Sequence, residues 1–315
     1  MNNAAGSFDV VVVGAGIVGA STALALAERG LKVCVLERGR VGQEASWAGG
    51  GMLTPLPPDD PAPDIRELLD ESLRLYPATC RALHDETGID PEYWACGLRF
   101  VREAGEARWF PGVAQVRNPR LMQALHQRLA QLGVPVREQT PARGWQVARG
   151  RLMGVQTGQG LIACRHAVLA AGAWSTTLSA MASVRPVKGQ MLLLRGHPEQ
   201  LDHIRMDQHA YLIPRRDGRI LVGSTLEDAG FDKTVTAAAR VFLLEAAARL
   251  WPESRKLEIE NQWAGLRPQP AQAAPYIGPV PEVQGLFLNT GHYRLGITLS
   301  LASAQRIAAY MTSGN

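Results

Sequence analysis

Apolar positions along this chain follow two rhythms. Val10 to Val13 is an unbroken β-branched run behind Asp9, the mark of a strand buried on both faces of a parallel sheet. From Ile17 to Arg29 apolar residues return at helical spacing, and Gly30 stands where a helix would terminate. A second buried strand at Lys32–Leu36 completes a β-α-β unit, and Pro55–Pro63, rich in Pro and Asp, reads as a loop leaving it. Helical spacing recurs over Asp64–Tyr76 and Pro119–Leu132, with turn-rich chain between them. Short strands and Gly turns over Val134–Val168 predict a small antiparallel meander, and Val168–Ala173 predicts a further strand entering a Gly turn. Val187–Arg195, Ala210–Pro214 and Arg219–Gly223 predict another antiparallel sheet, followed by a helix over Thr236–Leu250. A strand at Leu286–Asn289, a Gly-punctuated loop and a helix from about Thr298 to Met311 close the chain.

Composition narrows the class. The 315 residues, 46% apolar and 20% charged, suit one large globular domain or two interleaved ones. No apolar run reaches the roughly 18–20 residues of a membrane span. Met1 to Phe8 carries no Lys or Arg and Asp9 precedes the first apolar run, so that run reads as the first strand of a cytoplasmic protein rather than a leader. Cys34, Cys80, Cys96 and Cys164 are scattered without a CxxC pair, and the His residues show no metal-ligand spacing; neither a disulfide framework nor a metal site is expected. The net charge of +4 rests on 33 basic residues, all but Lys32, Lys188, Lys233 and Lys256 being Arg, spread along the chain. That distribution predicts a solvated Arg-rich surface and no nucleic-acid partner.

Gly14-Ala15-Gly16-Ile17-Val18-Gly19 fits GxGxxG between a strand and a helix. Gly14 permits the tight turn, Gly16 lets a pyrophosphate approach the backbone, and Gly19 allows close helix–strand packing. The helix start offers free N–H groups and a positive dipole end to phosphate. Glu37, closing the second strand, is placed to bind ribose hydroxyls and would repel a 2′-phosphate, which argues against NADP. The run Ala45–Leu53 is built of small residues apart from Trp47 before Met52. Such backbone can lie against a flat ring; a flexible surface loop is the alternative.

With these motifs, Leu169–Ser175, Arg185–Gln190, Tyr211–Arg215, Trp263–Pro268 and Gly291–Ile297 make the chain resemble the D-amino-acid oxidase / glycine oxidase family of FAD-dependent oxidoreductases, most closely its bacterial glycine oxidases. The motifs run in the family's order from Asp9 to about Ala309. The resemblance implies an α/β fold in which a Rossmann-type, glutathione-reductase-like FAD-binding domain interleaves with an α+β substrate domain on an antiparallel sheet. Residues 7–56, 117–184 and 276–315 would form the first, and 57–116 and 185–275 the second.

It also implies non-covalent FAD, with Ile17, Val18, Glu37 and Arg38 on the pyrophosphate and adenosine side. Ala45, Ser46, Gly50, Gly51 and Met52 would line its middle and the flavin, Ala142 would offer backbone to the adenine, and His292, Tyr293, Arg294, Leu295, Gly296, Ile297 and Thr298 would wrap the isoalloxazine. The dipole of the last helix would then favour negative charge on that ring. Arg267, between Leu266 and Pro268, presents a planar donor fork suited to a substrate carboxylate, the alternative being a structural ion pair. By resemblance it anchors that carboxylate, with Tyr211 adding a hydroxyl and Arg294 a second charge; a core tyrosine and a solvent-facing arginine are the alternatives. His292 is expected to contribute mainly backbone.

The activity so implied is oxidation of a small amino acid or secondary amine, such as glycine, sarcosine or a small D-amino acid, by hydride transfer to flavin N5. Hydrolysis of the imine gives an oxo acid and ammonia or an amine, and molecular oxygen yields hydrogen peroxide. No acid or base is assigned, because positioning and flavin electronics can carry the transfer. A role in thiamin thiazole synthesis belongs to the same resemblance; whether the chain forms a homo-oligomer is left open by the sequence. Competing readings are an FAD amino-acid dehydrogenase passing electrons to a quinone or carrier at a membrane surface, a non-catalytic flavin-binding subunit and, more remotely, an NAD-dependent enzyme. Three departures bear on the pocket: Leu295 where the family has Asn, Trp47 where it has a small residue, and a short region from Gly105 to Val116. Trp47 is expected to narrow or reshape the site.

Overall fold

The computed structural model describes residues 7–55, 63–102 and 105–312, so nearly all of the expected Pro55–Pro63 loop lies outside the described residues. The chain opens with β1 (Phe8–Val13), α1 (Ile17–Ala27), β2 (Val33–Leu36), the single turn α2 (Ala45–Ala48) and β3 (Met52–Leu53). Then come α3 (Pro63–Thr87), β4 (Leu98–Val101), β5 (Ala107–Phe110), β6 (Ala114–Gln115), α4 (Asn118–Gln131) and β7 (Val136–Arg137). The meander is β8 (Ala142–Ala148), β9 (Arg151–Thr157) and β10 (Gly160–Leu169), followed by the short α5 (Ser175–Leu178). β11 (Val184–Arg195), β12 (Ile204–Met206), β13 (Tyr211–Pro214), β14 (Arg219–Gly223), α6 (Ala237–Leu250) and β15 (Glu258–Pro270) form the next block. β16 (Tyr276–Pro279), β17 (Leu286–Thr290) and α7 (Gly296–Thr312) end it.

The first sheet runs β16-β17-β10-β1-β2-β7. Its β17, β10, β1, β2 and β7 are parallel neighbours, and β16 lies antiparallel at the edge. The alternation of β1 explains its two-sided burial. Val10 and Val12 pack toward α1, α3, α4 and α7, whereas Val11 and Val13 pack toward Leu152, Val155 and the meander. The second sheet runs β15-β11-β14-β13-β12-β4-β5, antiparallel except between β12 and β4. One face carries Leu192, Leu194, Leu212 and Val222 against Leu243, Ala246 and Ala247 of α6. The other presents Met191, Ile213 and Leu221 toward Met52, Tyr211 and Trp263.

Several expectations change. The helix expected at Asp64–Tyr76 continues through Pro77 to Thr87, because Tyr76, Cys80 and Leu83 remain buried in the α1–α4 core. Their burial outweighs the roughly 3 kcal/mol that an interior proline costs. Val168–Ala173 is no separate strand: β10 runs on to Leu169 and a 3-10 turn follows at Gly172–Trp174. Trp263–Pro268 belongs to the 13-residue β15, and the last helix starts at Gly296 rather than Thr298. Among the described residues between 63 and 116, α3 packs on α7 and α4, while β4 and β5 join the second sheet.

The buried Tyr76 ties α3 to the start of α7. Its hydroxyl donates to the Ile297 carbonyl and lies 3.2 Å from Ser300 Oγ. The Ile297 carbonyl also accepts from Ser300 Oγ at 2.9 Å, so Tyr76→Phe removes one of two hydroxyl bonds to it and is expected to lower stability by about 1 kcal/mol, read as a lower urea midpoint at unchanged slope.

Candidate active site

A cavity of about 830 Å³ runs between the two sheets, within the range of small-molecule and cofactor sites. Every residue expected to touch cofactor or substrate lines it except Gly19. Gly19 serves packing instead: a Cβ there would lie 1.9 Å from the Gly14 oxygen, so α1 crosses β1 with no side chain between them. Gly14 holds φ +109°, and its Cβ would meet the Ala170 oxygen at 2.4 Å.

At this end the α1 N-terminus opens onto the cavity. The Ile17 N–H donates to Ser46 Oγ at 2.8 Å, and Glu37, at the end of β2, accepts from the Ala15 and Gly39 N–H groups at 2.9 and 2.8 Å. Those two bonds fix the carboxylate and leave it further lone pairs for hydroxyl donors. Arg38 is not free: it pairs with Glu44 at 3.0 Å and lies 3.4 Å over the Trp174 ring. Pro141 and Ala142 form the adjoining wall.

The small-residue run is ordered. Ala45–Ala48 is one helical turn and Met52–Leu53 a short strand paired with β6. Four side chains or backbone groups hold the carbonyls between. Asn118 Nδ2 donates to Ser46 O and Gly49 O, Arg215 Nη2 to Gly50 O, the Val116 N–H to Gly51 O, and Thr298 Oγ1 to Met52 O. Trp47 does not narrow the cavity, contrary to expectation. It turns away onto Trp263, ring centroids 5.3 Å apart, and Trp263 Nε1 donates to Ala48 O. None of the described residues 105–116 reaches the cavity wall either.

Arg267 projects from β15 across Gly189 of β11, where any Cβ would lie 2.2 Å from Nη1. Nη2 donates to Ser224 Oγ at 2.7 Å and Nη1 to Thr225 O at 3.3 Å; among the described residues no carboxylate pairs with it. Burial pushes its pKa down; neighbouring Tyr211 opposes this and the charge of Arg294 adds to it. The guanidinium is therefore half-buried, cationic and aimed at the cavity without a counter-ion. Tyr211 lies over Gly223 and faces Gly50, its hydroxyl 3.5 Å from Met191 Sδ. Arg294 is exposed at the mouth, its guanidinium 5.4 Å from the Tyr293 ring. Leu295, in place of a polar residue, packs toward Ile65, Leu68 and Leu299.

His292 is 3% exposed, Nε2 has no hydrogen-bond partner among the described residues, and burial pushes its pKa down to about 4. It stands neutral beside the start of α7, whose first-turn residues Gly296, Ile297 and Thr298 line the cavity. The donor set fits an extended dinucleotide: N–H-rich α1 for phosphate, Glu37 for ribose, and the small-residue run with the α7 N-terminus for a flat ring that gains negative charge. The carboxylates of the wall are committed elsewhere. Glu44 binds Arg38 and Lys233, and Asp207 accepts from the His209 and Ala210 N–H groups and from Arg249. Neither is a base for the Arg267 end.

Sequence reading left Asn118, Ser224, Thr225 and Arg215 without a role. Arg215 lay inside a motif already singled out; the others carry no local signal, since Ser224 and Thr225 reach the cavity, and Asn118 reaches the Ser46 and Gly49 carbonyls, only through contacts between segments distant in sequence.

Comparison with known proteins follows the geometry. A sequence model described as FAD dependent oxidoreductase matches residues 9–109 and 103–310. A glycine oxidase of Pseudomonas aeruginosa is 42% identical over 96% of this chain and 94% of its own. The crystal structure of glycine oxidase from Bacillus cereus superposes with a TM-score of 0.92 at 30% identity, covering 98% of both chains. That of glycine oxidase from Geobacillus kaustophilus gives 0.94 at 29% identity, covering 98% of this chain and 95% of that one.

The buried neutral His292 predicts a pH effect. Unfolded, it binds a proton below about 6.5; folded, it resists protonation until about 4, so the unfolded state gains protons first as pH falls. Between those values it withdraws up to about 3 kcal/mol of stability, and below pH 4 it withdraws no more. Urea unfolding at pH 6.5 and 4.5 should show that part of the loss disappearing in His292→Asn.

Proposed function

Because the chain belongs to the FAD-dependent oxidoreductase family, we propose that its cavity oxidises glycine and its small N-methyl or D-side-chain analogues. The chain is an FAD-dependent amino-acid oxidase. The observation that carries the substrate class is Arg267, an unpaired guanidinium held by Ser224 and Thr225 in the cavity wall.

The arrangement assigns work to this chain's own residues. Arg267 takes the substrate carboxylate with the N–H groups that Ser224 and Thr225 leave unused, and Tyr211 adds a hydroxyl on the same side. Arg294 at the mouth draws the anion in. Gly189, beneath the Arg267 fork, leaves the space that the guanidinium occupies, since a Cβ there would lie 2.2 Å from Nη1. His292, neutral and buried, adds no charge beside the α7 N-terminus. Bound along the cavity, FAD supplies the acceptor for the electron pair that leaves the amine-bearing carbon. No wall carboxylate is available as a base at this end, in keeping with a substrate amine that enters neutral and needs placement more than proton abstraction.

The overall reaction consumes the amino acid, oxygen and water and releases the oxo acid, ammonia and hydrogen peroxide; from glycine the oxo acid is glyoxylate. Oxygen as acceptor rests on the oxidase relatives. Among the described residues no helix is long and apolar enough to cross a membrane.

Anaerobic mixing with glycine, sarcosine, D-alanine, D-proline and L-proline should bleach the flavin with at least the first two, and air should then return peroxide stoichiometrically. Dye reduction without oxygen uptake would make the chain a dehydrogenase, and a flavin that stays yellow with every amine would leave it a binding subunit. Arg267→Ala should lower kcat/KM for glycine about 100-fold, mainly through KM, the loss of one charge-assisted pair of about 2–3 kcal/mol. Bleaching by Arg267→Ala at parental glycine concentrations would remove Arg267 as the carboxylate anchor.

A further inference from the structure

Arg215 follows β13 and is 7% exposed. Among the described residues no carboxylate pairs with it: its acidic neighbours Glu92 and Asp217 bind Arg117 instead, at 3.2 and 2.8 Å. Its fork is spent on neutral acceptors. Nη1 donates to Gln115 Oε1 at 2.7 Å and to Val116 O at 3.0 Å, and Nη2 donates to Gly50 O at 2.9 Å. Burial pushes its pKa down to about 10, so it stays cationic at neutral pH. A buried cation without a counter-ion is costly, which makes its position informative.

The bond to Gly50 O has a geometric consequence. The Gly50–Gly51 peptide is trans, so its C=O and N–H point in opposite directions. With the oxygen drawn back onto Arg215, the Gly51 N–H points away from it, and Gly51 lines the cavity. Among the described residues no acceptor takes that N–H. Gly51 packs tightly on Val116. It holds φ +75°, and a Cβ there would lie 2.1 Å from the Val116 oxygen, while its own carbonyl is bound by the Val116 N–H.

We propose that Arg215 is a positioning residue for the cofactor: it aims and polarises the Gly51 N–H as a donor to an electron-rich atom of the flavin ring, and keeps a positive charge one peptide behind the cavity wall. This rests on the FAD reading above. A cation on the carbonyl of an amide makes its N–H a stronger donor. A donor and a nearby positive charge both favour the electron-rich, reduced ring over the oxidised one. Arg215 therefore raises the flavin's reduction potential while fastening the loop that carries the ring.

The test uses the holoenzyme, with the flavin midpoint potential measured by anaerobic titration against a reference dye and FAD affinity measured by fluorescence quenching. Arg215→Gln is expected to lower the potential and weaken FAD binding tenfold or more. Arg215→Lys, which keeps the charge but not the fork, should recover most of the potential and less of the affinity. If Arg215→Gln does not fold, Gln115→Glu sets a carboxylate on Nη1 and should lower the potential with the fork intact. A parental potential in either charge-altered variant, even with weakened FAD binding or a lower melting temperature, overturns the proposal and leaves Arg215 a structural strut. A parent chain that binds no FAD would instead defeat the reading on which the proposal rests.

Discussion

The cavity exists because bare backbone bridges the two sheets. Along residues 48–51 the chain approaches the second sheet and the β6–α4 connection more closely than side chains would permit. A Cβ on Gly265 would lie 2.5 Å from that of Ala48, one on Gly50 would lie 2.9 Å from Ile213 Cδ1, and one on Gly51 would strike Val116 O. Larger residues at this seam would push the sheets apart and separate Arg267, on the second sheet, from the α7 N-terminus, which packs on the first. Asn118 and Arg215 then convert proximity into fixed geometry by gripping Gly49 O and Gly50 O from opposite sides of the seam. Rigid support of this kind lets a few polar groups act on a bound ring or carboxylate without reorganising first.

Charge in the cavity is arranged by commitment rather than by count. The chain has nearly as many acids as bases, 29 against 33, yet every carboxylate of the wall is engaged by backbone N–H groups or a basic partner. Arg267 and Arg294 have no such counter-ions among the described residues, and the α1 and α7 N-termini add positive ends. The resulting positive lining suits a pyrophosphate at one end and a carboxylate at the other. The neutral His292 belongs to the same design, since a protonated imidazole there would be a further buried cation.

The β1–α1–β2 unit is legible because it forms from residues adjacent in sequence, and the unbroken β-branched run Val10–Val13 is a local signature of two-sided burial. Distant packing overrides local propensity in α3, which runs on beyond Tyr76 through Pro77 because the cost of proline is local, whereas the burial of Tyr76, Cys80 and Leu83 that outweighs it is not. Trp47 looked like an obstruction because its size is legible but its direction is not; Trp263, far along the chain, supplies the surface that draws it out of the cavity.

The sequence by itself determined the dinucleotide-binding unit, whose physics is complete within a few residues, and, through a resemblance carried by ordered motifs along nearly the whole chain, the family and Arg267 as a candidate anchor. Only the tertiary structure decided that Arg267 has no ion partner among the described residues, that Asn118 and Arg215 hold the Gly49 and Gly50 carbonyls, and that Leu295 packs toward an apolar cluster. Those are properties of pairs joined across the seam between two sheets. A side chain's electrostatic role is set by whichever groups share its burial, and no local pattern in the chain states which groups those are.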